Sequence, residues 1–388
     1  MKIPFHKPLI NSSINDILKE SLTSGWLTTG PKVKELEGRL CEYFNVKNVI
    51  LVNSCTAALH LGLAAKGICK GDKFIVPTYT FVASVEVGEY LGAEPILVDS
   101  EPGSFNLDLD QVEEKLAQDF DGRIKAIIPV HFGGQTVDMT RINKLADEYN
   151  LFVLEDAAHA VEAISNTGKV GNTNHAAAFS FYANKNITTG GEGGALATND
   201  EQLADRVRRL SLHGMNKDGW NRFSSGGKWS YDVSDLGYKY NMTDIAASFG
   251  LDQLIHINDW HVRRLEIVKC YSENLSNIEG LILPEHTLGK MHAWHLYVIR
   301  IIPKMWKITR NDLIKKINEE GIGTSVHYIP VHMHSYYANR YSFKPSDFPV
   351  SEELSETVIT LPLFPKMVAQ EVDYIIFTLM NLWNQYKS

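Results

Sequence analysis

No apolar stretch in the 388 residues approaches the roughly 18 needed to cross a bilayer. The opening Met1-Lys2-Ile3-Pro4-Phe5-His6-Lys7 lacks the apolar core of a secretory leader. Cysteine is scarce: Cys41, Cys55, Cys69 and Cys270 are scattered, with no C-x-x-C pair, and read as free thiols in a reducing compartment. Positive charge is also short, with 38 Lys and Arg against 46 Asp and Glu and a formal net charge of -8. That balance argues against nucleic acid as the main partner, which needs a basic face, but leaves room for a locally positive pocket that takes a phosphorylated ligand. There is no P-loop, internal repeat, low-complexity tract or strong linker. Gly190, Gly191, Gly193 and Gly194 lack the G-x-G-x-x-G spacing and the opening helix of a dinucleotide fingerprint. These absences lead to the expectation of a soluble cytoplasmic protein with no membrane and no nucleic-acid partner.

What is present is ordinary in bulk and specific in detail. Apolar content of 44% and charged content of 22% suit a globular chain, and its length predicts two domains, 1–250 and 251–388. Val49-Ile50-Leu51-Val52, Phe74-Ile75-Val76, Ile96-Leu97-Val98, Ala126-Ile127-Ile128 and Phe152-Val153-Leu154 are apolar throughout and are separated by helical patterns. Such strands imply an α/β fold with a mainly parallel sheet covered on both faces. Ser13 is the expected cap of a helix that uses Ile14, Ile17, Leu18 and Leu22 on one face and stops at Gly25. Further helices are expected from Ala57 to Ala65, from Asp200 to about Leu212, from Asp244 through Val268, and near Asn311 to Glu320. Gly214 to Trp229 is an aromatic, Gly-rich loop of the length that often carries function.

Ligands of such sheets bind outside the carboxyl ends of the strands. Ser54-Cys55-Thr56-Ala57, Thr78-Tyr79-Thr80-Phe81, His131 and Asp156 all fall at those ends. Lys185 follows the apolar run Phe179-Ser180-Phe181-Tyr182-Ala183-Asn184, and Asp156 closes Val153-Leu154-Glu155. A lysine and an aspartate at the ends of buried strands are what a pyridoxal phosphate enzyme needs. The amine bonds the cofactor's aldehyde, and the carboxylate keeps the pyridine nitrogen protonated so that the ring can accept electrons. Thr56 and Ala57 begin a helix whose free amides suit a phosphate. His327, His332 and His334 come without a carboxylate or thiol set and make a weak metal site; no metal is expected.

The chain resembles the DegT/DnrJ/StrS sugar-nucleotide aminotransferases, a fold-type I pyridoxal phosphate family, over nearly its whole length. The likeness is carried by Ser24-Gly25-Trp26-Leu27-Thr28-Thr29-Gly30-Pro31, Glu155-Asp156-Ala157-Ala158-His159, Phe179 to Lys185, Gly237-Tyr238-Lys239-Tyr240-Asn241-Met242-Thr243-Asp244, and Gly321-Ile322-Gly323-Thr324-Ser325-Val326-His327-Tyr328. It implies a seven-stranded, mainly parallel sheet with a smaller α+β C-terminal domain. It also implies cofactor contacts from Thr56, Ala57, Phe81, Asp156, His159, Ser180, Lys185 and Asn241. Lys185 is catalytic, Phe81 stacks on the pyridine ring, His159 bonds the phenolic oxygen, and Asn241 reaches the phosphate from the second subunit of a homodimer. Trp26, Leu27, Thr28, Thr29, His327 and Tyr328 match segments near the sugar-nucleotide pocket.

One relative with histidine in place of the lysine dehydrates its substrate instead; position 185 here is lysine. Many relatives read T-T-G-E-G-G where this chain has an extra glycine in Thr188-Thr189-Gly190-Gly191-Glu192-Gly193-Gly194. The expected activity is transfer of an amino group from L-glutamate to C4 of a UDP-linked 4-keto sugar, for surface polysaccharide, lipopolysaccharide or glycan synthesis. A C3-specific enzyme and a non-catalytic pyridoxal phosphate-binding regulator are the alternatives.

Overall fold

The computed structural model describes residues 1–215, 232–285 and 290–388. Most of the Gly214 to Trp229 loop lies outside the described residues. The apolar runs become β1 (Asn48–Val52), β2 (Lys73–Pro77), β3 (Glu94–Val98), β4 (Ile124–Ile127) and β5 (Phe152–Asp156). A short pair follows, β6 (Ile164–Ser165) and β7 (Gly168–Lys169), and then β8 (Ala176–Ser180) and β9 (Gly194–Thr198). The large sheet has seven strands in the order β1-β9-β8-β5-β4-β2-β3. β5 pairs parallel with β4 and β8, and β2 with β3 and β4. Only β9 opposes its neighbours, β1 and β8, so β1 still points the same way as the parallel strands. Alternate residues serve opposite faces: Ile50, Phe74, Leu154 and Leu196 enter one core, while Val49, Ala177, Phe179 and Ala195 enter another. Both faces are dry, which is why these strands read as continuous apolar runs.

The helix Cys55–Lys66 is buried on nearly every side and lies across β5, β8 and β9. Small residues permit that approach. A Cβ on Gly62 would meet Leu154 at 3.0 Å and Leu196 at 3.3 Å, and β8 offers only Ala176 and Ala178 on the face beneath it. The start of this helix is thereby fixed at the carboxyl edge of the sheet.

A further core unites β10 (Leu281–Ile282), β11 (Tyr297–Ile301) and β12 (Val358–Leu361), an antiparallel sheet, with helices Ile257–Leu275, Arg310–Glu319 and Ala369–Tyr386. Ile3 belongs to this core. Its N–H donates to the Gly321 carbonyl at 2.8 Å, and its carbonyl accepts from Gly323 N–H at 2.8 Å.

Several local expectations change. Ser13 makes no capping bond; its hydroxyl goes to Asp252 across the interface with helix Asp244–Ile255. Gly25 does stop the helix, at φ 72°. Leu22 is exposed, and Ser21 takes the inward place against Ser248 at 2.9 Å. The pattern from Asp244 through Val268 is two helices, Asp244–Ile255 and Ile257–Leu275, broken at His256. A domain boundary at 250/251 would cut the first of these, so we propose the division at that break.

Candidate active site

One cavity of about 490 Å³ lies at the carboxyl edge of the large sheet, within the range of small-molecule sites. Ser54 to Thr56, Thr80 and Phe81, His131, Asp156, His159, Ser180 and Lys185 all line it, with His295, His327 and Tyr328. The four segments expected to converge do so because parallel strands end on one edge.

Asp156 ends β5 and is held by the backbone that follows β4: its N–H donates to Pro129 O at 2.8 Å, and its carbonyl accepts from His131 N–H at 3.1 Å. Its Oδ2 accepts from the Ser84 hydroxyl at 2.7 Å and Oδ1 from Ala158 N–H at 3.1 Å. Ser84 Oγ lies 2.9 Å from Thr80 Oγ1. The carboxylate is therefore buried, fixed by a donor on each oxygen, and still lines the cavity. Glu155 points the other way and meets His131 Nε2 at 2.9 Å.

Lys185 sits beyond the end of β8, in a turn where its N–H donates to Tyr182 O at 2.9 Å. Desolvation pulls its ammonium down to about 8, against the opposing field of Asp156. Burial, with Asp156 nearby, pushes the Cys55 thiol well up, so Cys55 supplies no thiolate.

Gly133 N–H donates to His159 Nδ1 at 3.1 Å, so the ring proton sits on Nε2, 3.2 Å from Tyr328 OH. Burial keeps that imidazole neutral well below its usual range, with the Lys185 charge acting the same way. Tyr79 is fully buried and clamps the adjoining segment: its hydroxyl donates to His327 O at 2.7 Å and accepts from Tyr328 N–H at 3.0 Å. His327 lies 2.9 Å from Thr360 Oγ1 and is lowered to about 4, chiefly by burial. His332 faces elsewhere, buried against Phe348 and 2.7 Å from Thr78 Oγ1. Phe81 is 59% exposed, which removes core packing as the reason for an aromatic there.

Ser54 caps the helix Cys55–Lys66 by accepting Ala57 N–H at 3.0 Å. That amide is already used and Ala57 does not line the cavity, whereas Cys55 and Thr56 open the helix and do. Ser180, at the end of β8, lines the same wall. Trp26, Leu27, Thr28, Thr29 and Asn241 do not line this cavity. They form their own cluster: Thr29 Oγ1 accepts from Asn241 Nδ2 at 2.7 Å and donates to Met242 O at 2.6 Å, and Asp244 N–H donates to Thr28 O at 3.0 Å. Trp26 packs so closely on Gly30 that a Cβ there would fall inside the indole ring.

Sequence reasoning did not single out Ser84, Asn186 or His295. Ser84 sits in a helix with nothing local to mark it, and only tertiary placement brings it to Asp156.

The residues present fit pyridoxal phosphate. A helix start and a hydroxyl suit the phosphate, a fixed carboxylate the ring nitrogen, and an N–H donor the phenolic oxygen. An exposed phenyl ring suits the pyridine face, and an amine is free to react. A profile described as the DegT/DnrJ/EryC1/StrS aminotransferase family matches residues 8–380. The chain belongs to that family. It is 44% identical over 376 residues to the spore coat polysaccharide biosynthesis protein SpsC of Bacillus subtilis, covering 96% of this chain and 95% of that one. Spr1654 of Streptococcus pneumoniae, a candidate sugar aminotransferase solved in its PMP form, superposes with a TM-score of 0.90 at 33% identity, covering 99% of this chain and 100% of that one. PseC of Helicobacter pylori, an aminotransferase of pseudoaminic acid biosynthesis, gives 0.89 at 25% identity, covering 99% of this chain and 100% of that one. The chain is accordingly a pyridoxal phosphate-dependent sugar aminotransferase of fold-type I.

Proposed function

We propose that this enzyme moves an amino group from L-glutamate to C4 of a nucleotide-linked 4-keto sugar, with UDP as the nucleotide, for surface polysaccharide or glycan synthesis. The observation that carries the chemistry is the joint placement of Lys185 and a doubly anchored Asp156 on one cavity wall system. C4 is supported by the likeness of Ser24 to Pro31, His292 to Leu296 and Gly321 to Tyr328 to the branch that makes 4-amino-4-deoxy-arabinose and 4-amino-6-deoxy sugars. The polysaccharide role of the Bacillus relative and the amino-sugar role of the Helicobacter neighbour lie in the same direction.

Bound pyridoxal phosphate supplies the electron sink and carries the amino group between donor and acceptor. Lys185 is the reacting amine. With its proton held only to about pH 8, a useful fraction is neutral near pH 7 and can take a proton from the substrate carbon and return it. Asp156 holds the proton on the ring nitrogen, and His159 Nε2–H donates to the phenolic oxygen. The amides of Cys55 and Thr56 and the Ser180 hydroxyl hold the phosphate, and Phe81 covers one ring face. His327 and Tyr328 border the sugar.

The cluster of Trp26, Leu27, Thr28, Thr29 and Asn241 completes the site of a second copy in a homodimer. Retention of both Lys185 and Asp156 disfavours a non-catalytic regulator. The test is to incubate the protein with glutamate and a panel of 4-keto and 3-keto sugar nucleotides, then read products by mass and NMR. Nitrogen on C3 would overturn the regiochemistry, and preference for a dTDP or GDP sugar would overturn only the nucleotide.

A further inference from the structure

A second histidine ring lies 4.4 Å from that of His159, and its surroundings fix the opposite tautomer. Asn186 Nδ2 donates to Glu162 Oε2 at 2.7 Å and to the Ala293 carbonyl at 3.0 Å. Both partners can only accept, so the amide nitrogen must face them, and Asn186 Oδ1 is the atom 3.0 Å from His295 Nδ1. An amide oxygen can only accept as well. His295 therefore carries its proton on Nδ1 and bears a bare lone pair on Nε2. Glu162 is held in turn by Arg264; both are buried to within 2% of complete enclosure. Among the described residues His295 Nε2 has no hydrogen-bond partner, yet the ring lines the cavity that Lys185 lines, and also a small recess of about 20 Å³ behind that lysine. The two rings thus offer complementary atoms to one cavity: an N–H from His159 and a lone pair from His295.

We propose that His295 is a positioning residue for Lys185, its Nε2 accepting one N–H of the lysine amine, and that Asn186, Glu162 and Arg264 exist in this place to hold the tautomer this requires. The inference rests on the reading that Lys185 is the reacting amine. A primary amine that gives one N–H to a fixed acceptor can no longer rotate freely, so its lone pair is aimed, which a proton transfer at one carbon requires. His295 is suited to accept without becoming a base itself. Burial holds it neutral well below the usual imidazole range, and the charge of Lys185 acts in the same direction.

The titratable groups that share the cavity or the recess with Lys185 are Asp156, Glu192, Cys55, His131, His159, His295, His327, Tyr182 and Tyr328, with His6, Lys7 and Arg264 on the recess side. Only His295 presents a lone pair whose tautomer is fixed by the Asn186 chain. The test reads the lysine in cofactor-free, full-length protein, as the rate of cyanate modification of Lys185 against pH, quantified by peptide mass. The wild-type midpoint should fall near the value of about 8. His295→Phe removes an acceptor that favours the ammonium form and should lower the midpoint by about one pH unit. His295→Gln, whose amide oxygen accepts, should return it, and Asn186→Leu, which frees the tautomer, should lower it partway. Circular dichroism and melting check the fold, and Asn186→Leu keeps the His295 ring if His295→Phe does not fold. A wild-type midpoint in Asn186→Leu or His295→Phe overturns the proposal, as does His295→Gln titrating like His295→Phe. Borohydride marking of a different lysine in the holoenzyme would instead overturn the reading of Lys185 on which the proposal rests.

Discussion

Gly194 shows how the sheet sets the position of the end of the site proposed to hold the phosphate. It opens β9 between Val52 of β1 and Ser180 of β8, so the strand is paired on both sides and cannot retreat. A Cβ at this position would lie 2.4 Å from Ser54 C and 2.5 Å from Ser54 O and Cys55 N. These are backbone atoms at the start of the helix Cys55–Lys66, and the overlap is about one ångström short of ordinary contact. No side-chain rotation relieves it. Gly194→Ala must therefore push the helix start outward or distort β9, an overpacking that costs roughly 1–3 kcal/mol, or about 1–4 °C in Tm for a chain of this length. Losing one charge-assisted bond from the Cys55 or Thr56 amide to phosphate should raise the cofactor Kd by about 10- to 100-fold. Gly191→Ala is the matched control in the same turn, since a Cβ there meets nothing within 4 Å. Cofactor-free protein titrated with pyridoxal phosphate by absorbance, beside thermal melting, measures both effects. Wild-type affinity in Gly194→Ala, or equal damage in Gly191→Ala, would refute the reasoning.

Lys185→Ala should take up no label on borohydride reduction with the cofactor and should lose at least about 100-fold in turnover; appreciable transamination would remove Lys185 from its role. In the wild type, capture of the cofactor needs the neutral amine, so its rate should climb about tenfold per pH unit and level off above the lysine's value of about 8; a flat stopped-flow profile between pH 6 and 8 would contradict this. Asp156→Asn should reduce turnover by about 100-fold or more while weakening cofactor binding far less, because the protonated ring matters most when carbanion charge develops; steady-state rates beside the absorbance titration decide it. Ser84→Ala strips Asp156 Oδ2 of its donor and should cost about 1–3 kcal/mol in denaturant unfolding of cofactor-free protein; an unchanged midpoint would mean that the carboxylate finds another donor. Mixing Lys185→Ala with an impaired Asn241 variant should recover activity if the sites are composite, and verified heterodimers without recovery would place Asn241 in its own subunit.

The strands were legible because their signal is local. A strand buried on both faces has no polar alternation to confuse with anything else, as in Val49 to Val52 and Phe152 to Leu154. The carboxyl-edge rule brings Thr56, Phe81, His131 and Asp156 together, and all four line one cavity. What failed was what depends on a partner far along the chain. Ser13 looks like a helix cap, yet Asp252 is the stronger claimant on its hydroxyl. Asp244 through Val268 keeps apolar residues at helical spacing across His256, so periodicity cannot see that the axis breaks there. Ser84 and Asn186 act through residues 72 and 109 positions away, and no spacing rule reaches that far.

The placement of Asn241 argues one step further. Its backbone bridges Val52, and Asn53 N–H donates to Tyr240 O at 2.7 Å, so it sits beside the β1 end that leads into the helix Cys55–Lys66. Its side chain nevertheless turns to Thr29 and accepts from Lys239 at 2.7 Å. A residue fixed next to its own site, but committed to a neighbouring cluster that does not line that site, is badly placed to serve its own cofactor. The same cluster holds Leu27, 46% exposed, next to a helix whose Leu22 is 61% exposed. A two-fold axis near the start of the helix Cys55–Lys66 would bring both discrepancies to one resolution. It would cover the exposed leucines and carry Thr28, Thr29 and Asn241 to the open side of the other copy's cavity. An isologous contact does this reciprocally, so each copy completes its partner. On that argument the sugar pocket is a property of the pair, and a variant held monomeric should keep the lysine chemistry at Lys185 while losing recognition of the sugar.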